Sequence, residues 1–330
     1  MAEDFTWRDG ERTIRFGRGA LADAPGLLGE GYTLLTTERA RSAAPDVVAA
    51  AATVVVIGPG RVDDLAGDLL DDGPVAGPLV ALGGGRVIDV AKALGAAGGD
   101  GVIVAAIPTT LSAAEMTWVH RHARGVDAST PRLRPRLVLN DPALSASQPL
   151  AELAASAANA LGHAVEGSLT AMATPVPTLA ARDAARRLAA ALPASGEPDR
   201  DELALGALLS GYAIDANWYG LHHVMSQTLV REAGAGHGPA NAAVLPVSAA
   251  ALRRRNPEAL AELDTVIGEP VEDVARRFAS LAGAARLRDI GIDESVLGAC
   301  ADIAAQRAEL ALTPPPAGPR ELGELYREAW

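Results

Sequence analysis

One run of sequence, ALGGGRVIDVAKAL at positions 81 to 94, constrains the fold more than any other part of this chain. An apolar strand ends there in three consecutive glycines, and a helix starts at once. Glycines at that point let backbone amides approach a diphosphate, and the positive end of the helix dipole favours its charge. The same triplet also serves a tight strand-to-helix turn with no ligand, so alone it predicts an α/β turn of nucleotide-binding type. Asp89 falls in the first turn of the predicted helix, where an acid complements the dipole, and Lys92 reads equally well as a solvated face residue. A second glycine pair, IGPGRVDD at 57 to 64, is a weaker version of the same signal.

The surrounding residues repeat the strand pattern. TLLTT (33 to 37), TVVVIG (53 to 58), PLVALGGG (78 to 85), VIVAAIPTT (102 to 110) and RLVLND (136 to 141) are apolar almost continuously. Strands buried on both faces read this way, and their alternation with helical segments such as Val62 to Leu70 and Val87 to Leu94 predicts a parallel, doubly wound sheet. After NDPALSASQP (140 to 149) the pattern changes to long Ala/Leu-rich stretches with a period near 3.6. Pro175, Pro177, Pro193, Pro198, Pro239, Pro257 and Pro314 to Pro316 punctuate these stretches as helix boundaries, and LTPPPAGPRE (312 to 321) reads as a stiff connection before a terminal helix. With 330 residues, two domains are expected: an α/β dinucleotide-binding domain over 1–149 and an all-α domain over 150–330.

Composition narrows the function classes. A formal charge of −12 argues against nucleic-acid or polybasic membrane binding. Hydrophobic residues at 49% and charged ones at 21% suit a globular core. A single cysteine, Cys300, excludes an intramolecular disulfide and any cysteine-based metal site, and fits a reducing compartment. The first sixteen residues mix both charge signs without an apolar run, and no uncharged apolar stretch reaches the roughly 20 residues of a bilayer span. A cytoplasmic protein is the expectation.

Two groups of polar residues could carry chemistry. In AIPTTLSAAEMTWV (106 to 119), Thr109, Thr110 and Ser112 place hydroxyls after a strand, at the sheet edge where open α/β folds bind ligands. Ser112 with Glu115 also fits a helix capping box. In the helical half, Asn159 and His163 are an i, i+4 pair on one helix face, His223 and Gln227 repeat that spacing, and His237 sits in a glycine loop before Pro239. Three imidazoles from separate helical segments could converge on a metal or a substrate, or each could be an ordinary hydrogen-bonded histidine. His120 and His122, flanked by Arg121 and Arg124, read as surface or loop residues.

Six blocks in order, GGGRVIDVAKAL, PTTLSAAEMT, RPRLVLNDPALS, NALGHAVEG, GLHHVMSQTL and GHGPANAAVLP, make the chain resemble the iron-containing alcohol dehydrogenase superfamily, and within it the maleylacetate reductases. The resemblance implies the dehydroquinate synthase-like fold, with nicotinamide bound between an N-terminal dinucleotide-binding domain and a C-terminal helical one. It implies that Gly83, Gly84 and Gly85 hold the diphosphate, helped by Arg86, Asp89 and Ser112, and that Thr109, Thr110 and Leu111 line the cofactor site. Glu38, at the end of TLLTTE, falls where the family often places an acid on the adenosine ribose, which favours NADH, while Arg39 and Arg41 leave NADPH open. It also implies a homodimer and a role in aromatic compound catabolism.

Metal-dependent members use an Asp and three His, and the matching positions here are Asn159, His163, His223 and His237. An amide is neutral and a weaker ligand than a carboxylate for a hard divalent cation. Maleylacetate reductases resemble this chain in having Asn there and a His-His pair, His222 and His223, on the next helix. The resemblance thus implies a metal-free oxidoreductase in which His223 and His237 donate a proton and stabilise an oxyanion, with His163 and Asn159 orienting the substrate. A small carboxylated oxo compound is the expected substrate, with Arg121, Arg124, Arg132 and Arg134 as candidate carboxylate clamps or plain surface arginines.

Three departures from the family pattern stand out. Arg86 replaces the usual serine after the glycines, Gln227 replaces a histidine that could relay a proton, and the residues from Thr117 to Arg134 do not follow the reductases. The alternatives are a metal-dependent alcohol dehydrogenase with Asn159 as ligand, a lyase or cyclase of the dehydroquinate-synthase type, and a nucleotide-binding scaffold without turnover.

Overall fold

A computed structural model describes residues 3–73, 77–99 and 101–330. The chain divides into two compact units, Met1–Gln148 and Pro149–Trp330.

Among its described residues, the first unit carries seven strands: β1 (Phe5–Asp9), β2 (Arg12–Phe16), β3 (Thr33–Thr36), β4 (Thr53–Val56), β5 (Leu79–Gly83), β6 (Val104–Pro108) and β7 (Leu137–Asn140). Helices α1 (Ala24–Leu28), α2 (Glu38–Arg41), α3 (Pro45–Ala49), α4 (Val62–Asp71) and α5 (Gly85–Gly98) connect them. The strands form one sheet in the order β1-β2-β7-β6-β5-β3-β4. All neighbours are parallel except β1 and β2, which form an antiparallel hairpin. That hairpin was not expected, because FTWRD and RTIRF alternate polar and apolar residues and lack the continuous apolar signature of a central strand.

Burial on both faces of the central strands follows from strand geometry, since successive side chains point to opposite sides. Leu79 and Ala81 of β5 and Val104 and Ala106 of β6 pack with Val87, Val90, Ala91 and Leu94 of α5. Val80, Leu82, Ala105 and Ile107 face the other way, onto Tyr32, Leu34, Val47 and Leu139. β4 departs from the expectation of two buried faces: it is the sheet edge, and its Val54 and Val56 are 38% and 43% exposed.

The second unit is helical: α6 (Leu150–Gly167), α7 (Pro175–Ala191), α8 (Arg200–Asn217), α9 (Leu221–Glu232), α10 (His237–Arg255), α11 (Pro257–Ile267), α12 (Val271–Leu281), α13 (Leu297–Ala304) and α14 (Pro319–Ala329). Pro175 and Pro257 take the first positions of α7 and α11, and Pro239 lies in the first turn of α10, where the missing amide hydrogen has no intrahelical acceptor anyway. Pro246 lies inside α10. Cys300 is buried as a free thiol. Among the described residues, no helix is long and apolar enough to cross a membrane.

Candidate active site

In the first unit, the β5-to-α5 turn is built by close approach. The glycines at 83 to 85 do not have positive φ, so conformational freedom is not what selects them. A Cβ on Gly84 would lie 3.0 Å from Thr110 Cγ2, and one on Gly85 would lie 3.0 Å from Ser112 Oγ. The β6 loop therefore packs directly on the glycine turn, secured by Thr109 N–H donating to the Gly83 carbonyl at 3.0 Å. α5 has Gly84 as its N-cap, no side-chain cap and no acid in its first turn. Its first amides point out of the helix without intrahelical acceptors, and Arg86 is exposed beside them, donating to the Gly58 carbonyl at 3.4 Å. Uncapped amides, a dipole and a cation over a cradle that a side chain would fill suit a diphosphate, so the residues fit a dinucleotide.

Several expectations for this unit need correction. Asp89 sits in the second turn of α5, because the helix begins at Gly85, and its partner is Lys92 Nζ at 2.7 Å. Lys92 is not solvated. It is fully buried and donates to the carbonyls of Ala114, Thr117 and Val119 at 2.9 to 3.0 Å. No helix follows Ser112, so there is no capping box; Ala113 has φ 60°, and Glu115 is buried, with its pKa raised to about 7 chiefly by burial. His120 is buried too: its Nδ1 lies 2.8 Å from the Arg121 carbonyl, the Leu133 amide approaches its Nε2, and burial pushes it down to about 4. The expected carboxylate clamps have other partners. Arg121 pairs with Asp63, Arg124 with Asp68 and Asp71, and Arg132 donates to the His120 carbonyl and lies over the Trp118 ring. Glu38 is exposed at the start of α2, just beyond β3, with Arg41 Nη1 at 3.2 Å. Thr109 and Leu111 are buried, and Thr110 is half-buried.

In the second unit, Asn159, His163 and Glu166 occupy i, i+4 and i+7 of α6, hence one face. Glu166, which sequence reasoning passed over, is the centre of the arrangement. It is fully buried; its Oε1 accepts the His222 amide at 2.7 Å, and its Oε2 accepts the His223 amide at 3.2 Å. With Leu221 N–H donating to Thr313 Oγ1 at 3.2 Å, the first three amides of α9 are all satisfied by side chains. Glu166 Oε2 also lies 2.6 Å from His223 Nδ1. Burial pushes the carboxyl up, while the charge of His222 and the backbone amides of His222, His223 and Gly220 hold it down. The signal for Glu166 was its spacing from His163 on the same helix face.

The imidazoles crowd together. His163 and His223 stack with centroids 4.8 Å apart, and His222 meets His223 edge-on at 4.8 Å. His222 Nδ1 lies 2.9 Å from Ser248 Oγ, and a Cβ on Gly162 would lie 2.5 Å from His222 Nε2, so only glycine fits that turn of α6. Burial, then the charge of neighbouring histidines, drives His222 and His223 down to about 3 and His163 well below its ordinary value. All three are neutral near pH 7. His223 then donates Nδ1–H to Glu166 and leaves Nε2 bare. His223 Nε2, His163 Nδ1 and Asn159 Oδ1 are buried without a hydrogen-bond partner. His237 is the first residue of α10 and is exposed. Gln227 accepts from Arg307 Nη2 at 3.2 Å, and the same guanidinium pairs with Glu309.

The donors fall short of a resident iron site. Among the described residues, no three His, Cys, Asp or Glu side chains gather to hold a metal ion. Asn159, His163, His223 and the exposed His237 offer one amide and three imidazoles, and the nearby carboxylate, Glu166, is committed to His223 and the α9 amides. A hard divalent iron favours a ligand set that includes a carboxylate.

Residues 153–330 match the family described as Fe-containing alcohol dehydrogenase, C-terminal. Maleylacetate reductase of Pseudomonas knackmussii is 30% identical over 241 residues, covering 70% of this chain and 68% of that protein. The 1,3-propanediol dehydrogenase of Citrobacter freundii is 29% identical over 295 residues, covering 76% of each. Among solved structures, maleylacetate reductase from a Rhizobium species superposes with a TM-score of 0.82 at 25% identity, covering 100% of this chain and 99% of that one.

Proposed function

This chain belongs to the iron-containing alcohol dehydrogenase family and is an oxidoreductase, and we propose from that premise that it is a metal-free, NAD(P)H-dependent reductase of a small oxo acid or enone. The observation that carries this reading is the Glu166–His223 pair, 2.6 Å apart and buried, with a bare Nε2 on the other side of the ring. Bound NAD(P)H supplies the hydride. Gly83, Gly84 and Gly85, the first amides of α5 and Arg86 would hold its diphosphate, with Thr109, Thr110, Leu111 and Ser112 beside them and Glu38 toward the adenosine ribose.

His223 acts on the substrate oxygen through Nε2. In the alcohol direction the bare nitrogen takes the hydroxyl proton, and Glu166 stabilises the imidazolium that forms. In the reducing direction Nε2 first takes a proton from solvent and then gives it to the substrate oxygen, which hydride addition makes far more basic than the imidazole. His237, exposed at the start of α10, is the route by which the proton is replaced from solvent. Asn159 and His163 orient the substrate, and His222, locked against Ser248 and Gly162, holds the pair in place.

The proposal is tested by titrating purified protein with NADH and NADPH by nicotinamide fluorescence, with elemental analysis for iron and zinc on the same sample. Tight nucleotide binding without stoichiometric metal, followed by NADH consumption with maleylacetate, is the expected result. Absence of binding by both nucleotides would overturn the oxidoreductase mechanism, and activity that appears only with added metal would replace it with a metal-dependent dehydrogenase.

A further inference from the structure

The segment joining α8 to α9, Asn217 to Gly220, contains a conformation that its sequence does not favour. Trp218 has φ 61° and ψ −174°, a region that side-chain-bearing residues rarely enter and glycine enters freely. The neighbouring backbone leaves it no choice. Asn217 is fully buried; its Nδ2 donates to the Gly167 carbonyl at 2.6 Å, and its Oδ1 accepts from the Thr174 amide at 3.2 Å. The Thr170 hydroxyl donates to the Asn217 carbonyl, and the Trp218 amide donates to Ile214 at 2.9 Å. Core packing does not explain the choice of tryptophan either, since the residue is only half-buried.

The indole has a defined neighbour. It stacks on Tyr219 with centroids 5.1 Å apart and planes 21° apart. Tyr219 is buried, and its hydroxyl is held by Glu309 at 3.2 Å and by Arg307 at 3.3 Å, so its ring cannot turn away. The Tyr219 ring in turn lies 5.7 Å from the His223 ring. Indole, phenol and imidazole thus form a continuous series of rings from Trp218 to His223.

We propose that Trp218 is a specificity-determining residue whose indole, backed by Tyr219, receives a flat unsaturated substituent of the compound whose oxygen is held at His223. Aromatic faces favour offset or edge contacts with other flat π systems over saturated, puckered groups of equal size. A strained backbone, fixed by the Asn217 contacts, that sets where the indole stands fits that task. The inference rests on the reading that the histidine cluster holds a carbonyl compound.

Two measurements test it. The first needs no turnover: the four tryptophans give four indole N–H resonances in 15N-labelled protein, and Trp218→Phe identifies the one that belongs to Trp218. Titration with trans-cinnamate is expected to shift that resonance; an unmoved Trp218 signal would overturn the proposal. The second compares phenylglyoxylate with cyclohexylglyoxylate as oxo acids under NADH. Trp218→Ala is expected to lower kcat/KM for the flat compound at least about tenfold more than for the saturated one, mainly through KM, with Trp218→Phe restoring most of the difference. Equal losses for both compounds would overturn it. If neither compound is reduced by the wild-type protein, the reductase reading suffers, and the indole titration alone decides the role of Trp218.

Discussion

At the scale of single residues, the site depends on which atoms hold protons. Glu166 accepts two backbone amides and one imidazole N–H, and that acceptance makes Nδ1 of His223 the protonated nitrogen. Glu166→Gln keeps the shape but presents an amide that can donate to Nδ1, which shifts the ring proton to Nε2. We expect kcat/KM to fall by about 100-fold or more, because an amide behind a general-base histidine fixes the wrong tautomer. The far-ultraviolet spectrum should stay unchanged. Histidine 15N shifts should show the tautomer switch directly; an unchanged tautomer together with unchanged turnover would remove Glu166 from the mechanism. The residues of this pair were half legible in the sequence. His163 and His223 stood out by residue type and spacing, whereas Glu166 drew no attention, because the sequence does not say which face of its helix turns inward.

At the scale of elements, the β5-to-α5 turn and the β6 loop form one device. The glycines were legible as a turn, but the reason for them was not, since the contact lies between segments about 25 residues apart. Thr110 and Ser112 fill the space that side chains at 84 and 85 would need. Gly84→Ala places a methyl 3.0 Å from Thr110 and forces the β6 loop outward. The expected outcome is an increase of about tenfold or more in the NADH dissociation constant by fluorescence titration, because the amides at the α5 N-terminus no longer present one concave surface. The helical content should remain, as α5 keeps its packing against β5 and β6. Undiminished NADH affinity would mean that the turn serves structure alone. Element boundaries were legible where apolar runs were continuous, as for β5 and β6, and illegible for the β1–β2 hairpin, whose alternating residues follow a different rule.

At the scale of the whole molecule, each unit buries histidines that resist protonation and an acid that resists ionisation, but the second unit has more of the histidines. In the second unit, His222 and His223 have folded-state values near 3 against an ordinary 6.5, so the unfolded chain binds more protons between those limits. Their contribution to stability is complete above about pH 6.5 and is lost as pH falls toward 3. In the first unit, Glu115 has a folded value raised to about 7 from 4.5, so the folded state binds the extra proton and this part of its stability declines as pH rises from 4.5 to 7. Acidification from pH 7.5 to 5 is therefore expected to lower hydrogen-exchange protection factors in α6 and α9 more than in α5, where the loss at His120 is offset by the gain at Glu115. A larger loss of protection in α5 than in α6 and α9 between pH 7.5 and 5 would contradict this assignment.

What the sequence by itself determined is the class of each half. Short continuous apolar runs, ended by glycines, can bury both strand faces only in a sheet covered by helices, and the Ala/Leu-rich remainder with a period of 3.6 can bury its stripe only against other helices. The order of the six motif blocks, and the replacement of an acid by Asn159, were equally plain from the residues. Only the tertiary structure decided which polar groups lose water. Lys92, Glu115, His120 and Glu166 are polar residues in unremarkable positions of the sequence, yet all four are buried, and burial sets their partners and their protonation. Desolvation depends on what packs around a group from distant parts of the chain, and no local pattern encodes it. The strained backbone of Trp218 has the same origin, since the contacts that impose it come from α6, from the segment that follows it and from the start of α7.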